Sequence, residues 1–235
     1  QKGPADSSLC ANTSAYLMAE TEGGFYYSTG NILYYADQEN LTEWVPVCSR
    51  PDCSHNGPDC QAYLANDGRF VLKGEQIYFC DSNTRYHPDG DSGTVLASMT
   101  LDGGDRKGAY TIPGSLSDAG GSDRFCLLGD QLIAMYCRMN EGGAFDTRMV
   151  RVDETGEQEL FTGTMEQLPS WLGAVTRYED VGGDTALYFY LDDSQENWAC
   201  TLYRPTAEGL EKLGDVSGLG NLMDLDFTGS YLSGE

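Results

Sequence analysis

The densest chemistry in the sequence lies in one short run, Cys48-Ser49-Arg50-Pro51-Asp52-Cys53-Ser54-His55-Asn56-Gly57-Pro58-Asp59-Cys60. Three thiols and one imidazole within thirteen residues are the ligand types of a Cys3His zinc centre. The spacing, C-x4-C-x-H-x4-C, departs from the common zinc-ribbon pattern, and His55 lies only two residues from Cys53. The competing chemistry is a disulfide-stapled loop, in which Pro51, Pro58 and Gly57 set the turns and Cys80 supplies a fourth sulfur. An exported chain favours the disulfides. The expectation is therefore one short bridge among Cys48, Cys53 and Cys60, with the remaining cysteine reaching Cys80. Four cysteines allow three connectivities, and spacing does not choose between them.

Other candidates are weaker. Asp89 and Asp91, in His87–Gly93, and Asp102 and Asp105 offer hard oxygens on glycine-containing loops that suit calcium. Neither loop has the EF-hand register, and Asp-Gly hairpin turns explain both equally well. No catalytic residue and no bound cofactor is predicted. The two histidines, His55 and His87, sit in Pro/Asp/Gly-rich loops without the setting of an activated nucleophile. The pairs Glu179/Asp180 and Asp192/Asp193 could serve glycoside hydrolysis, but 37 acids make adjacent pairs an expected accident. Among the aromatics, Trp44, Trp171 and Trp198 could stack on a sugar or peptide. Trp171 and Trp198, beside turns, are the candidate ligand contacts; Tyr26, Tyr34, Tyr78 and Tyr188 sit at repeated strand positions and are expected in the core.

The elements that must position these groups are strands. Apolar residues at helical spacing are absent, while turn residues recur every 8–12 positions. The segment Arg69–Ile77 aligns with Arg124–Leu132, each a short strand, a Gly turn carrying an acid, and a more apolar strand. Equivalent glycines at 24, 74, 129, 183 and 229 are spaced 50, 55, 54 and 46 residues apart. A third strand, an Asp-Gly-type turn and a polar fourth strand follow each hairpin. The predicted fold is all-β, a β-propeller of four-stranded antiparallel blades. Four blades are complete (about 15–48, 69–112, 123–162 and 172–214) and a fifth is begun at 222–235, as in an excerpt of a longer propeller. Residues 1–14 read as a polar N-terminal tether, and 48–63 as a Cys-rich insert.

Composition bounds the partners. The net charge is -23, from 14 Lys+Arg against 37 Asp+Glu, and the few cations are scattered. That excludes a phosphate-binding stripe for nucleic acid and disfavours an anionic membrane surface. No apolar run approaches the roughly 18 residues of a membrane span. Eight cysteines and Asn/Gly/Ser/Asp-rich loops fit an exported protein.

The run from Val47 to Tyr63, following Gly24–Tyr27 and Ile32–Asp37, resembles a group of uncharacterised lipoproteins from gut-dwelling Clostridia and their relatives. In these, an export signal and a lipid-attachment cysteine precede a β-propeller similar to the low-density-lipoprotein-receptor type. Cys48, Pro51, Cys53, His55, Cys60 and Ala62 match their C-x-x-P-x-C-x-H-x(4-5)-C-x-A segment. The resemblance implies export, a lipid anchor upstream of residue 1 and display on the cell surface, with no established activity. The Tyr-Trp-Thr-Asp blade signature is absent, so nothing about receptor ligands carries over. The expected function is an extracytoplasmic propeller that binds a peptide, protein or glycan. The alternatives are a carbohydrate-active propeller and a structural spacer.

Overall fold

The computed structural model describes residues 18–65, 68–89, 93–113, 125–128, 131–143, 145–153, 156–164, 171–174, 187–191, 199–205 and 210–216. Within them the chain is all-β. The first sheet holds β1 (Met18–Thr21), β2 (Gly24–Thr29), β3 (Ile32–Asp37) and β4 (Asn40–Pro46). The second holds β5 (Phe70–Lys73), β6 (Gln76–Ser82), β7 (Thr94–Thr100) and β8 (Lys107–Thr111). The third runs from β9 (Phe125–Leu128) through β10 (Gln131–Met139) and β11 (Phe145–Asp153) to β12 (Gly156–Thr164). The fourth comprises β13 (Trp171–Ala174), β14 (Leu187–Leu191), β15 (Ala199–Pro205) and β16 (Leu210–Val216). Every sheet is an antiparallel meander with its strands in chain order.

Local chemistry explains the meanders. β2 joins β3 through Gly30-Asn31, with Thr29 opposite Ile32. Both turn residues have positive φ, 55° and 67°, which a two-residue hairpin needs to match strand twist and which Gly and Asn tolerate best. The repeated hairpin read from the sequence is β5–β6 and β9–β10, where Lys73 pairs with Gln76 and Leu128 with Gln131.

The period-2 alternation of each strand then decides how the sheets pack. In the second sheet Leu72, Ile77, Phe79, Val95, Ala97 and Met99 face the first sheet, where they meet Ala19, Tyr26 and Leu33. Their neighbours Val71, Cys80 and Leu96 face the opposite way and meet Phe125, Leu132, Ala134, Tyr136 and Val150 of the third sheet. Tyr26 is fully buried, and its hydroxyl donates to the Leu101 carbonyl at 2.9 Å. That bond ties the first sheet to the β7–β8 turn.

The propeller expectation is corrected by this arrangement. The described residues form separate antiparallel sheets, with all ladder pairing inside each sheet, and no closed barrel or propeller. The physical reason lies in what a repeat encodes. Turn glycines and alternation specify hairpins and a two-faced sheet, which are local; ring closure is a long-range packing event that repeat spacing does not specify. The 1–14 tether and the 222–235 segment lie outside the described residues.

Candidate metal centre

The Cys-rich insert leaves the end of β4 and returns to the start of β3, pinched at a single residue. The Val47 N–H donates to the Leu33 carbonyl at 2.9 Å, and the Leu33 N–H donates to the Ala62 carbonyl at 2.9 Å. Ile32 pairs with Tyr63 in an antiparallel bridge, and the Leu64 N–H donates to the Asn31 carbonyl at 2.8 Å. Cys48 and Cys60 each adjoin or lie close to a residue bonded to Leu33. The first sheet's own hydrogen bonding therefore draws the two ends of the motif together. Between them the chain turns twice, with the Cys53 N–H donating to the Arg50 carbonyl and the Cys60 N–H to the Gly57 carbonyl.

One ligand atom each from Cys48, Cys53, His55 and Cys60 lies within 4.8 Å of all the others. The Cys60 Sγ to His55 Nδ1 separation is 3.5 Å. A tetrahedral ion with bonds of about 2.3 Å to sulfur and about 2.0–2.1 Å to nitrogen requires an S···N edge of about 3.5 Å. The Cys60–His55 separation matches that edge, and the other donor separations stay within 4.8 Å. The close spacing of His55 and Cys53 is accommodated by the backbone: His55 has φ 54°, in the left-handed region that a non-glycine residue occupies only at a cost. That local reversal brings an imidazole two residues after Cys53 round to Cys60.

Contacts around the donors orient them. The Gln61 side-chain oxygen accepts from the Ser49 N–H at 3.1 Å and the Ser49 hydroxyl at 2.9 Å, and faces the Cys48 thiol at 3.6 Å. The Ala62 N–H points at Cys60 Sγ at 3.3 Å, a geometry that suits a thiolate ligand. Arg50 donates to the Asp59 carbonyl at 2.8 Å and closes the loop on itself. Burial would raise the Cys48 thiol, but the backbone N–H groups of Arg50 and Gln61 and the thiols of Cys60 and Cys53 outweigh it, and the net shift is downward. Cys60, buried at 2% exposure, is pushed up to about 12, by burial first.

The β7–β8 turn of the second sheet packs on the start of the insert. Gly103 has φ 84°, and a Cβ there would lie 2.2 Å from the Val47 carbonyl oxygen. Only glycine permits that approach.

The expected disulfides are not seen in this structure. Cys48, Cys53, Cys60 and Cys80 form no disulfide. Cys80 is buried in the core between the second and third sheets, whereas Cys48, Cys53 and Cys60 are associated with the core on the other face. The cause is the alternation of β6: Phe79 points towards the insert, so Cys80 points away. Of the calcium candidates, Asp91 lies outside the described residues. Asp102 is occupied within its own turn, accepting from the Thr100 hydroxyl at 2.5 Å and the Gly104 N–H at 3.1 Å. Among the described residues Asp89, Asp102 and Asp105 join no group of three or more convergent donors.

Trp198 and both carboxylate pairs, Glu179/Asp180 and Asp192/Asp193, lie outside the described residues; Trp171 opens β13 opposite Tyr190. Trp44, the third tryptophan able to stack on a ligand, is paired with a tyrosine that the sequence did not single out. Tyr27 and Trp44 on the first sheet stand edge to face, 5.9 Å apart at 70°, and line an open groove with Thr29 and Tyr34. The available signal was alternation: Tyr26 is core, so Tyr27 must face outward.

No protein-family model matches the chain, and no curated protein sequence matches it. Among solved structures, the chain is similar to one described as a variant of S. cerevisiae Dbp5 bound to Nup159, a variant Gle1, IP6 and ADP. The identity is 11% and the TM-score 0.39, over 83% of this chain and 45% of that one. The chain thus spans less than half of the structure it matches, and a likeness at this level carries no argument.

Proposed function

We propose that the chain is a binding module whose Cys-rich insert is a structural metal centre of the zinc type, with Cys48, Cys53, His55 and Cys60 as its four ligands. The observation that carries this reading is the convergence of all four donor atoms within 4.8 Å of one another, with a Cys60–His55 separation that matches a tetrahedral edge. Three thiolates and an imidazole select a soft or borderline metal over calcium or magnesium, which take oxygen ligands. Four protein ligands leave no open coordination position, so the ion's role is to hold the insert rather than to activate water. Export and lipid-anchored display on a bacterial surface are supported by the resemblance carried by Cys48, Pro51, Cys53, His55, Cys60 and Ala62. Recognition of a peptide, protein or glycan is supported by the outward Tyr27–Trp44 groove, whose flat apolar faces suit stacking.

The test is metal analysis of the full chain purified under reducing conditions, followed by cobalt substitution. One equivalent of zinc, and cobalt absorption bands typical of tetrahedral thiolate coordination, are expected. A protein that retains no metal and gives no such cobalt spectrum refutes the centre. So does mass spectrometry that finds Cys48, Cys53 or Cys60 in disulfides in protein recovered after export. Glycan and peptide arrays, read with Trp44→Ala beside the parent, test the groove.

A further inference from the structure

Resting on the metal reading above, we infer that Arg106 is the positioning residue of the centre, and that metal binding and the docking of the insert on the second sheet are one coupled equilibrium. Arg106 lies just ahead of β8 and touches no ligand atom directly. Its side chain is 8% exposed, and its guanidinium is almost fully used. Nη1 donates to the carbonyls of Gln61 and Tyr63, both at 2.7 Å. Nη2 meets Asp81 Oδ2 at 2.5 Å, Nε donates to the Tyr86 hydroxyl at 3.0 Å, and the group lies 4.5 Å over the Phe79 ring.

The anchor beneath it is Asp81, 1% exposed. Its Oδ2 also accepts from the Tyr86 hydroxyl at 2.9 Å and pairs with Arg85 Nε at 3.3 Å. Arg85 in turn donates to the Pro58 carbonyl at 2.5 Å. One buried carboxylate of the second sheet thus holds two arginines, which grip the insert on both sides of Cys60, at Pro58 and at Gln61 and Tyr63.

The gripped residues are the ones that orient ligands. The Gln61 side chain holds Ser49 and faces Cys48, and the next N–H, from Ala62, points at Cys60. Whatever fixes the Gln61 backbone fixes the first and last thiols of the site relative to each other. A planar fork that donates to two carbonyls does this with little freedom left; a lysine would give a point charge without the fork. Linkage then makes the effect mutual. If Arg106 raises metal affinity by some factor, the metal tightens the Arg106 contacts by the same factor.

The experiment is a cobalt titration against a competing chelator on the full chain, for the parent, Arg106→Lys and Gln61→Ala. Lysine keeps a positive charge for Asp81, and Gln61→Ala leaves the buried pair untouched, so an informative variant remains if the lysine protein folds poorly. Leu132→Ala, in the core between the second and third sheets, is the control for destabilisation alone. Both site variants are expected to bind about 10–100-fold more weakly, the usual cost of losing an outer-shell partner. The tetrahedral cobalt bands should be unchanged, because the ligands are intact, and Leu132→Ala should bind as the parent does. In the parent, adding metal should slow hydrogen exchange at Leu101–Arg106 while β10–β11 exchange stays constant.

Site variants that bind within twofold of the parent, or exchange at Leu101–Arg106 indifferent to metal, overturn the coupling and leave the metal centre standing. A parent that binds no cobalt overturns the metal reading, and the coupling with it.

Discussion

Replacing His55 separates its two roles, as a ligand and as a residue held in a costly backbone conformation. At φ 54° a non-glycine residue costs about 1–2 kcal/mol. Glycine escapes that cost but adds about 0.4–1 kcal/mol of freedom to the unfolded chain. His55→Ala and His55→Gly both lose the imidazole, so their difference reports the backbone alone. With metal removed, the glycine protein should be the more stable by about 0.5–1 kcal/mol, the reverse of the order at an ordinary position. Metal reports the other role. At free zinc about a thousand times its dissociation constant, the parent gains about 4.1 kcal/mol. If losing a ligand weakens binding about 100-fold, at least the upper end of what an outer-shell loss costs, each variant keeps only about 1.4 kcal/mol at the same zinc level. Urea unfolding with chelator and with zinc measures both quantities. Alanine as stable as glycine in chelator would show that the left-handed conformation is not enforced. Full zinc stabilisation in both variants would remove His55 from the ligand set.

Three further outcomes follow from individual contacts. Tyr26→Phe removes the hydroxyl that donates to the Leu101 carbonyl, and should cost about 0.5–1.5 kcal/mol in urea unfolding, the net worth of one such bond; no measurable loss would mean that the bond contributes nothing to the fold. Gly103→Ala places a Cβ 2.2 Å from the Val47 carbonyl oxygen at φ 84°, so it should destabilise by more than the about 1–2 kcal/mol of the conformation alone and weaken metal retention with it. In metal-free protein, alkylation read by peptide mass spectrometry should modify Cys48 first, since its thiol is shifted downward and ionises at lower pH than an ordinary cysteine. Cys60, held near 12 by burial, stays a protonated, unreactive thiol through pH 9; equal rates for the two would contradict the burial pattern of the loop.

What was legible in the sequence was local. Arg69–Ile77 and Arg124–Leu132 read as hairpins because a turn glycine and two-residue alternation are contained in nine residues. The four sheets follow from four repeats of that pattern. The propeller expectation went beyond what was legible, because no residue in a hairpin states which face of a distant sheet it will meet. Cys80 shows the same limit on a smaller scale. As a fourth sulfur it was plausible by distance along the chain, yet one step of alternation on β6 separates Phe79, which faces the insert side, from Cys80, which faces the third sheet. The ligand set itself was legible as residue types. The awkward spacing of Cys53 and His55 made the metal look unfavourable, because a left-handed residue cannot be read from the letter His.

The pinch at Leu33 changes how the choice between thiol chemistries should be framed. The Leu33 N–H and carbonyl are bonded to Ala62 and Val47 as part of the first sheet's architecture, and neither bond needs a metal. Cys48 and Cys60 are thus brought close by backbone hydrogen bonding whatever later happens to their sulfurs. A disulfide between two of the three thiols would use that closeness but give His55 no bond of its own. A tetrahedral ion uses all four donors and offsets the His55 conformation with a bond. The convergence of His55 on the three thiols, rather than the number of cysteines, is therefore the feature that favours metal over a disulfide. Replacing His55 by glycine also decides the matter with few side effects, since His55 takes no part in the pinch.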